Sequence, residues 1–234
     1  ALLAAANRGV GNPPHANAFE CTFVGPRFIA RQELLAAWAG APAEIRIDGR
    51  AVGDTRQLVV RPGSVIEIGR LRGGMRGWLA IRGGVASRAP RWSPTPERLL
   101  PGLCTSAGLA VTQPRLGAER RGKRLAIEVR LGPHEISSEM RTRLLESEWR
   151  VTPALDRVGI RIAGTAADLE FPKDLRSCGM QFGTVQWHPD GALAVMGPDH
   201  PITGGYLQPM TVLSQELWKL AQLQPGEIVR WIAK

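Results

Sequence analysis

The sequence contains a single tyrosine, three cysteines and four histidines, and no apolar run near the length of a membrane span. A spanning helix needs ~20 such residues, so no membrane role is expected. The cysteines, Cys21, Cys104 and Cys178, are odd in number and form no CxxC pair. That usage points to a reducing cytosol, and so to a cytoplasmic protein, rather than to a disulfide framework. The histidines, His15, His134, His188 and His200, show no metal-like spacing among themselves or with cysteine, which argues against a zinc site. HExxH, GxSxG, a Walker lysine loop and a Rossmann glycine fingerprint are all missing. Their absence removes the usual signatures of zinc proteases, α/β-hydrolases and nucleotide binding. The opening ALLAAANRGV carries no charge ahead of its apolar stretch, which makes a poor signal peptide, and it lacks an initiator Met, which implies a processed or truncated chain.

What is present is a chain of 234 residues, 44% hydrophobic, long enough for one large domain or two ordinary ones with separate cores. The formal charge is +9 and the cations are mostly arginine, with lysine only at 123, 173, 219 and 234. The one dense run is Arg115, Arg120, Arg121, Lys123 and Arg124, and no aromatic residue lies between Trp92 and Trp149. Single-stranded nucleic acid is held by basic grooves interleaved with stacking aromatics. The run therefore reads as a solvated connector, and the basic balance as serving acidic small molecules or an acidic partner, with no nucleic acid.

A Pro-Gly step recurs in VRPG (60–63), LPG (100–102) and LQPG (223–226). Proline presets φ and glycine accepts positive φ, as a type II turn requires. Strand signals follow at Ser64 to Ile68 and Glu227 to Ile232, and recur at 44–47, 57–60, 78–81, 125–130, 149–152, 158–162 and 192–196. Helical spacing is confined to 138–148 and to a stretch from Ser214, read as an N-cap, to about Gln222. These signals predict a mainly β fold of two β-rich lobes with a few short helices: a first lobe over 1–118, a linker over 119–124 and a second lobe over 125–234.

The second lobe concentrates the polar chemistry. Arg157 and Arg161 flank a glycine; in extended backbone they share a face and could clamp a carboxylate or phosphate, or Arg157 could form a structural pair with Asp156 and Arg161 be a surface arginine. Pro189-Asp190-Gly191 reads as a hairpin turn, with Gln186 in the preceding strand, where an inward amide needs a partner or ligand. Ser177 and Cys178 are weaker candidates, having no base nearby in sequence. Thr203-Gly204-Gly205-Tyr206 beside Asp199 offers a hydroxyl, a phenol and two open backbone N–H groups, suited to gripping an oxyanion or carboxylate. Glycine there lets a carbonyl approach the backbone closely. Thr203 to Tyr206 are expected to line a cleft facing Gln186 and one of the two arginines, with substitution of Gly205 by valine abolishing activity.

DRVGIRIAG, FGTVQWHPDGALAVMGPDHPITGGY and LWKLAQLQPGEIVRW, in that order, resemble the KipA family, also called the biotin-dependent carboxyltransferase family. D-R-x-G-x-R followed by T-G-G-Y carries the resemblance through nearly all of 123–234. In the first lobe, AANRGVGNPPHANAFECTFVGPRF resembles the family's A-N-x-x-x-G-N and E-x-T-x-x-G-P segments, and GGMRGWLAIRGGV its G-x-R-x-x-L-x-x-x-G-G segment. Family members usually begin with a stretch containing Q-D-x-G-R and S-G-x-x-D, and this sequence starts after the corresponding point; Ser87 to Leu99 is shorter and richer in proline than the family's Ser- and Gly-rich segment and keeps only Arg98-Leu99 of its G-R-x-L end.

The resemblance implies a cyclophilin-like β-barrel architecture and a place in an assembly of several different chains. Its foremost implication is the C subunit (PxpC) of an ATP-dependent 5-oxoprolinase that opens 5-oxo-L-proline to glutamate, a hydrolase of a cyclic amide. The implied partners are a KipI/PxpB-like protein, a LamB/YcsF (PxpA)-like protein and a small amide substrate. Gln186, Thr203 and Tyr206 would be catalytic, and Arg157, Arg161, Asp199, Gly204 and Gly205 would bind substrate. Two other implications are a carboxyltransferase passing a carboxyl from carboxybiotin to urea or a similar amide, and a non-enzymatic KipA-type regulator that binds KipI. The chain has no biotinylation site of its own, so biotin would arrive on another protein or domain.

Overall fold

The computed structural model describes residues 2–52, 57–85, 124–164, 171–172 and 175–234. The chain divides into two compact units, Ala1–Glu119 and Arg120–Lys234. Of the expected linker, only Arg124 is described, and it opens a strand. The LPG turn and the Ser87–Leu99 segment lie outside the described residues.

The first unit opens with helix α1 (Leu2–Gly9) and continues through β1 (Phe19–Thr22), β2 (Arg27–Ile29), β3 (Leu34–Gly40), β4 (Ala43–Ile47), β5 (Arg50–Ala51), β6 (Gln57–Val60), β7 (Val65–Leu71) and β8 (Arg76–Ile81). These form two antiparallel four-stranded sheets, ordered β1-β8-β3-β6 and β2-β7-β4-β5. Alternation decides which way β7 faces: Ile66, Ile68 and Leu71 are buried while Glu67 and Arg70 are exposed. In β3 both faces are covered. Leu34, Ala36 and Trp38 join one core, while Ala37 and Ala39 lie with Ala80 against Ala5, Ala6 and Val10 of α1 and its exit. Alanine on that face lets the helix sit close to the sheet.

The second unit holds β9 (Arg124–Leu131), α2 (Ser138–Glu146), β10 (Trp149–Leu155), β11 (Gly159–Ala163), β12 (Cys178–Gly179), β13 (Thr184–Trp187), β14 (Leu193–Met196), β15 (Thr203–Gly204), β16 (Leu207–Val212), α3 (Leu217–Leu220) and β17 (Ile228–Ala233). Seven strands close into a barrel in the order β10-β11-β14-β13-β16-β9-β17, and β12 with β15 forms a separate two-stranded ribbon. The barrel core carries Trp149 and Trp187, fully buried, with ring centroids 5.9 Å apart edge to face. The protein is thus mainly β. Among the described residues no helix is long and apolar enough to cross a membrane.

The Pro-Gly turns at 62–63 and 225–226 form as the sequence requires, with Gly63 at φ +84° and Gly226 at φ +90°. Each closes by a backbone bond, Ser64 N–H to Arg61 C=O at 3.1 Å and Glu227 N–H to Gln224 C=O at 3.1 Å. Two helical readings need correction. The first helix of the second unit is capped by Ser137, whose Oγ accepts from the Met140 N–H, and it ends at Glu146 rather than 148. The expected Ser214 cap does not form. Leu213 takes the cap position with no side-chain bond, and Ser214–Glu216 winds as a 3-10 turn before α3. Glu216 is drawn inward, where it accepts from the Glu128 N–H and pairs with Lys219.

Candidate functional site

The site is built on the face of β13 that turns away from the barrel core. Val185 and Trp187 enter the core, so the alternation sends Thr184 and Gln186 outward, with His188 next in the series. Across the ladder, Gln186 stands opposite Ala194 of β14, which stands opposite Arg161 of β11. On the other side Thr184 pairs with Thr211 of β16, which pairs with Arg130 of β9. Between Val185/Met210 and Trp187/Leu207 the β13–β16 register shifts. The extra β16 residue is a bulge, and it places Gln208 beside this strip. Its backbone N–H donates to His134 Nδ1 at 2.9 Å, which turns Nε2 towards Cys178 Sγ, 3.9 Å away.

This polar strip is buried. Gln186 is 5% exposed and Gln208 1%, yet neither amide nitrogen has a hydrogen-bond partner. An unpartnered buried amide costs roughly 1–3 kcal/mol, so two of them on one surface make a place where a ligand or ordered water could supply the missing bonds. At Gln208 opens a cleft of about 490 Å³, bounded by Thr184, Gln208, Thr211 and Arg130 on the barrel side and by Gly179 to Gln181 on the other; Gln186 is not part of its lining.

Of the residues expected at the site, the structure gathers several. Gly204 lies against Gln186: a Cβ there would run into the Gln186 amide nitrogen and stand 2.9 Å from Met180 Sδ. Tyr206, half exposed, stacks on His188 with ring centroids 4.0 Å apart. Thr203 is exposed and pairs with Gly179 in the ribbon. Gly205 is exposed, and a Cβ on it would meet only Ser177 Oγ at 3.5 Å and Leu175 C=O at 3.8 Å. The close approach assigned to the Gly-Gly step therefore falls on Gly204 alone.

The arginines do not converge on a shared anion. Arg157 is held by Asp199 through two bonds, 2.6 and 3.0 Å, and Arg161 pairs with Asp190. Asp190 also accepts from the Ala192 N–H in the β13–β14 hairpin, where Gly191 sits at φ +81°. Asp156 serves its own turn by accepting from the Val158 and Gly159 N–H groups.

Sequence reasoning passed over His188, Gln208, Thr184, Thr211, Arg130 and His134. The period-two run Thr184-x-Gln186-x-His188, interleaved with Val185 and Trp187, is the signal that was available. Among the described residues no group of three His, Cys, Asp or Glu side chains could hold a metal ion. Cys21 is a buried free cysteine whose thiol is pushed up to about 12, by burial first and by Glu20 second, which excludes it as a thiolate nucleophile.

The carboxyltransferase domain family, subdomains A and B, matches residues 1–93 and 97–233. The chain belongs to this family. It is 27% identical to the C subunit of 5-oxoprolinase from Haemophilus influenzae over 99% of its own length and 79% of that protein. It is 26% identical to urea amidolyase of Saccharomyces cerevisiae over 97% of its length, but that match covers only 14% of the yeast chain. Among solved structures, TTHA0988 superimposes with a TM-score of 0.83 at 26% identity, covering 98% of this chain and 48% of that one. The chain thus spans most of the 5-oxoprolinase relative, which is a subunit of an enzyme, and a small part of the urea amidolyase, which is an enzyme.

The family's first-lobe segments acquire physical reasons in the structure. Asn12, from the A-N-x-x-x-G-N stretch, donates to Asn7 Oδ1 and to the Ile81 carbonyl and accepts from the Gly83 N–H, binding the α1 exit to the end of β8. Glu20 and Arg76, from the second and third segments, form one buried ion pair.

His188 gives this carboxyltransferase domain a titratable group beside the orphan amides. Burial and the Arg161 charge hold its pKa below the usual histidine value, against a smaller upward pull from Asp190. An Arg161→Met variant removes the repelling cation and frees Asp190, so the His188 pKa should rise; NMR titration of the imidazole measures this, and an unchanged pKa would refute the coupling. The native fold favours the neutral ring. The associated stability is present above the unfolded-state pKa of ~6.5 and is lost as pH falls through the lower folded value.

Proposed function

We propose that this protein is the C subunit of an ATP-dependent 5-oxoprolinase, a cytoplasmic assembly that opens 5-oxo-L-proline to L-glutamate. The observation that carries the reading is the match to the bacterial 5-oxoprolinase relative through 99% of this chain and 79% of that one. The strip agrees with it chemically. Two buried amides without partners and a glycine held against one of them suit a small cyclic amide, whose carbonyl accepts from Gln186 or Gln208 while its ring N–H finds an acceptor nearby. Tyr206 and neutral His188 supply a phenol and an imidazole for proton movement at the opened amide.

The partners in this reading are a KipI/PxpB-like protein and a LamB/YcsF (PxpA)-like protein. ATP use belongs to them. The described cleft offers one cation, Arg130, which does not match a triphosphate, and no step is assigned to ATP in this chain. The experiment is direct: full-length protein, assembled with both partners, is given 5-oxoproline and ATP, and glutamate is measured. Partner-dependent glutamate release is expected. Its absence from a correctly assembled complex would refute the hydrolase reading.

A second reading has its own support, since urea amidolyase matches over 97% of this chain. In it the site would take a carboxyl from carboxybiotin brought by a carrier to an amide such as urea. A ureido carbonyl suits the Gln186 and Gln208 amides as a lactam does, and biotin supplies the activated carboxyl when bound. Urea-dependent loss of carboxybiotin, with no glutamate from 5-oxoproline, would favour this reading.

A further inference from the structure

We propose that the cleft between Arg130 and the Gly179–Gln181 segment binds a small carboxylate, with Arg130 as its counter-charge and the Gln208 amide as its buried donor. Arg130 is exposed and is the one charged residue among those that line the cleft. Every other arginine noted in this unit's site has a carboxylate of the chain against it, whereas the Arg130 guanidinium makes no ion pair or hydrogen bond among the described residues. At the cleft wall the Gln208 side chain is 1% exposed with its amide nitrogen unpartnered. Thr184 Oγ1 already accepts from the Gln181 N–H at 3.0 Å, so its own proton is available to donate. Thr211 adds a second hydroxyl to the lining.

One cation and several neutral donors, with no acid in the lining, specify an acceptor-rich ligand of low charge. A phosphate would call for more than one cation or a nest of backbone N–H groups. A carboxylate is matched by the planar fork of a single arginine. At about 490 Å³ the cleft has the size of a small-molecule site. The choice of ligand rests on the 5-oxoprolinase reading: 5-oxoproline carries a carboxylate as well as a lactam. Arg130 and Gln208 would then hold the end of the substrate that does not react, leaving Gln186 for the lactam.

Binding to the purified full-length chain is measured by NMR shift perturbation and calorimetry with three probes: 5-oxo-L-proline, 2-pyrrolidinone, which is the same ring without the carboxylate, and acetate. The lactam acid is expected to bind at least about tenfold more tightly than 2-pyrrolidinone, and acetate to displace it. Arg130→Gln, at an exposed position, should lower affinity for the acid about tenfold or more and leave 2-pyrrolidinone unchanged. Gln208→Met should weaken the acid as well, with thermal melts showing that both variants fold. Equal affinities for the two rings, or undiminished binding by Arg130→Gln, would overturn the proposal. The two failures are separable. Glutamate release that keeps its KM in Arg130→Gln sinks the carboxylate site and leaves the function. Arg130-dependent binding of 5-oxoproline without glutamate release keeps the site and sinks the function.

Discussion

An Arg76→Ala variant will lose about 3–5 kcal/mol of stability, the cost of stranding one partner of a buried ion pair. Arg76 lies in β8 opposite Thr22 of β1, and Glu20 is two residues along on the same face, a diagonal neighbour within reach of a long side chain. Arg76 Nε is 3.3 Å from Glu20 Oε1, with the side chains only 8% and 15% exposed. Removing the guanidinium takes from the largely buried Glu20 carboxylate a cation that little water can replace. Urea denaturation of the first unit measures the loss. Replacing both residues by methionine should recover more than half of it, because the apolar pair leaves no stranded charge. A single-variant loss below about 1 kcal/mol would show that the pair is effectively solvated.

The sequence-level reading of strands worked where composition and period agreed. β7 and β17 follow Pro-Gly turns and are rich in isoleucine and valine, so local turn chemistry and strand propensity point the same way. β3 was not legible. Its LLAAWAG sequence is mostly alanine and leucine, which favour helix in isolation, and it is a strand because α1 and the opposite core cover both of its faces. β16 was hidden by Pro209, which ordinarily argues against a central strand; the register shift beside it relieves the ladder. Tertiary packing overrode local preference in both strands.

The same division runs through the site. Gln186 stood out in the sequence because an amide in an apolar strand is conspicuous, and Gly204 because Gly-Gly beside Tyr206 is; the structure sets the two against each other. For Arg157 and Arg161 the sequence left a ligand clamp and structural pairing both open, and spacing alone does not reveal that Asp199 and Asp190 reach those guanidiniums from elsewhere in the chain. Gln208 and Arg130 could not be found by motif. They meet Thr184 only through the closure of the barrel and the bulge in β16, which are products of long-range pairing.

A Gly204→Val variant should fold and lose about 10²-fold in glutamate release by the assembled complex, the scale of loss that follows when reacting groups are displaced by about 1 Å. The argument is steric and local. A Cβ at 204 would collide with the Gln186 amide and press on Met180, at 2.9 Å from Sδ and 3.0 Å from Cε. Both are the ends of flexible side chains, and the ribbon of β12 and β15 is only two strands wide. Relaxation is therefore cheap for the fold, about 1 kcal/mol. It is costly for the proposed site, because the side chain that moves is the one whose buried, unpartnered amide would hold the substrate carbonyl. Gly205→Ala is the matched control. Its added carbon meets only ordinary contacts with Ser177 and Leu175, so activity should stay within about twofold, a difference of under ~0.5 kcal/mol in barrier. Thermal melts and turnover measured on the same preparations separate the outcomes. Unfolding of the Gly204 variant would make the glycine a packing requirement only. Full activity with an intact fold would show that Gln186 is free to move without consequence, and the strip beside Gly204 would then not be where the amide is held.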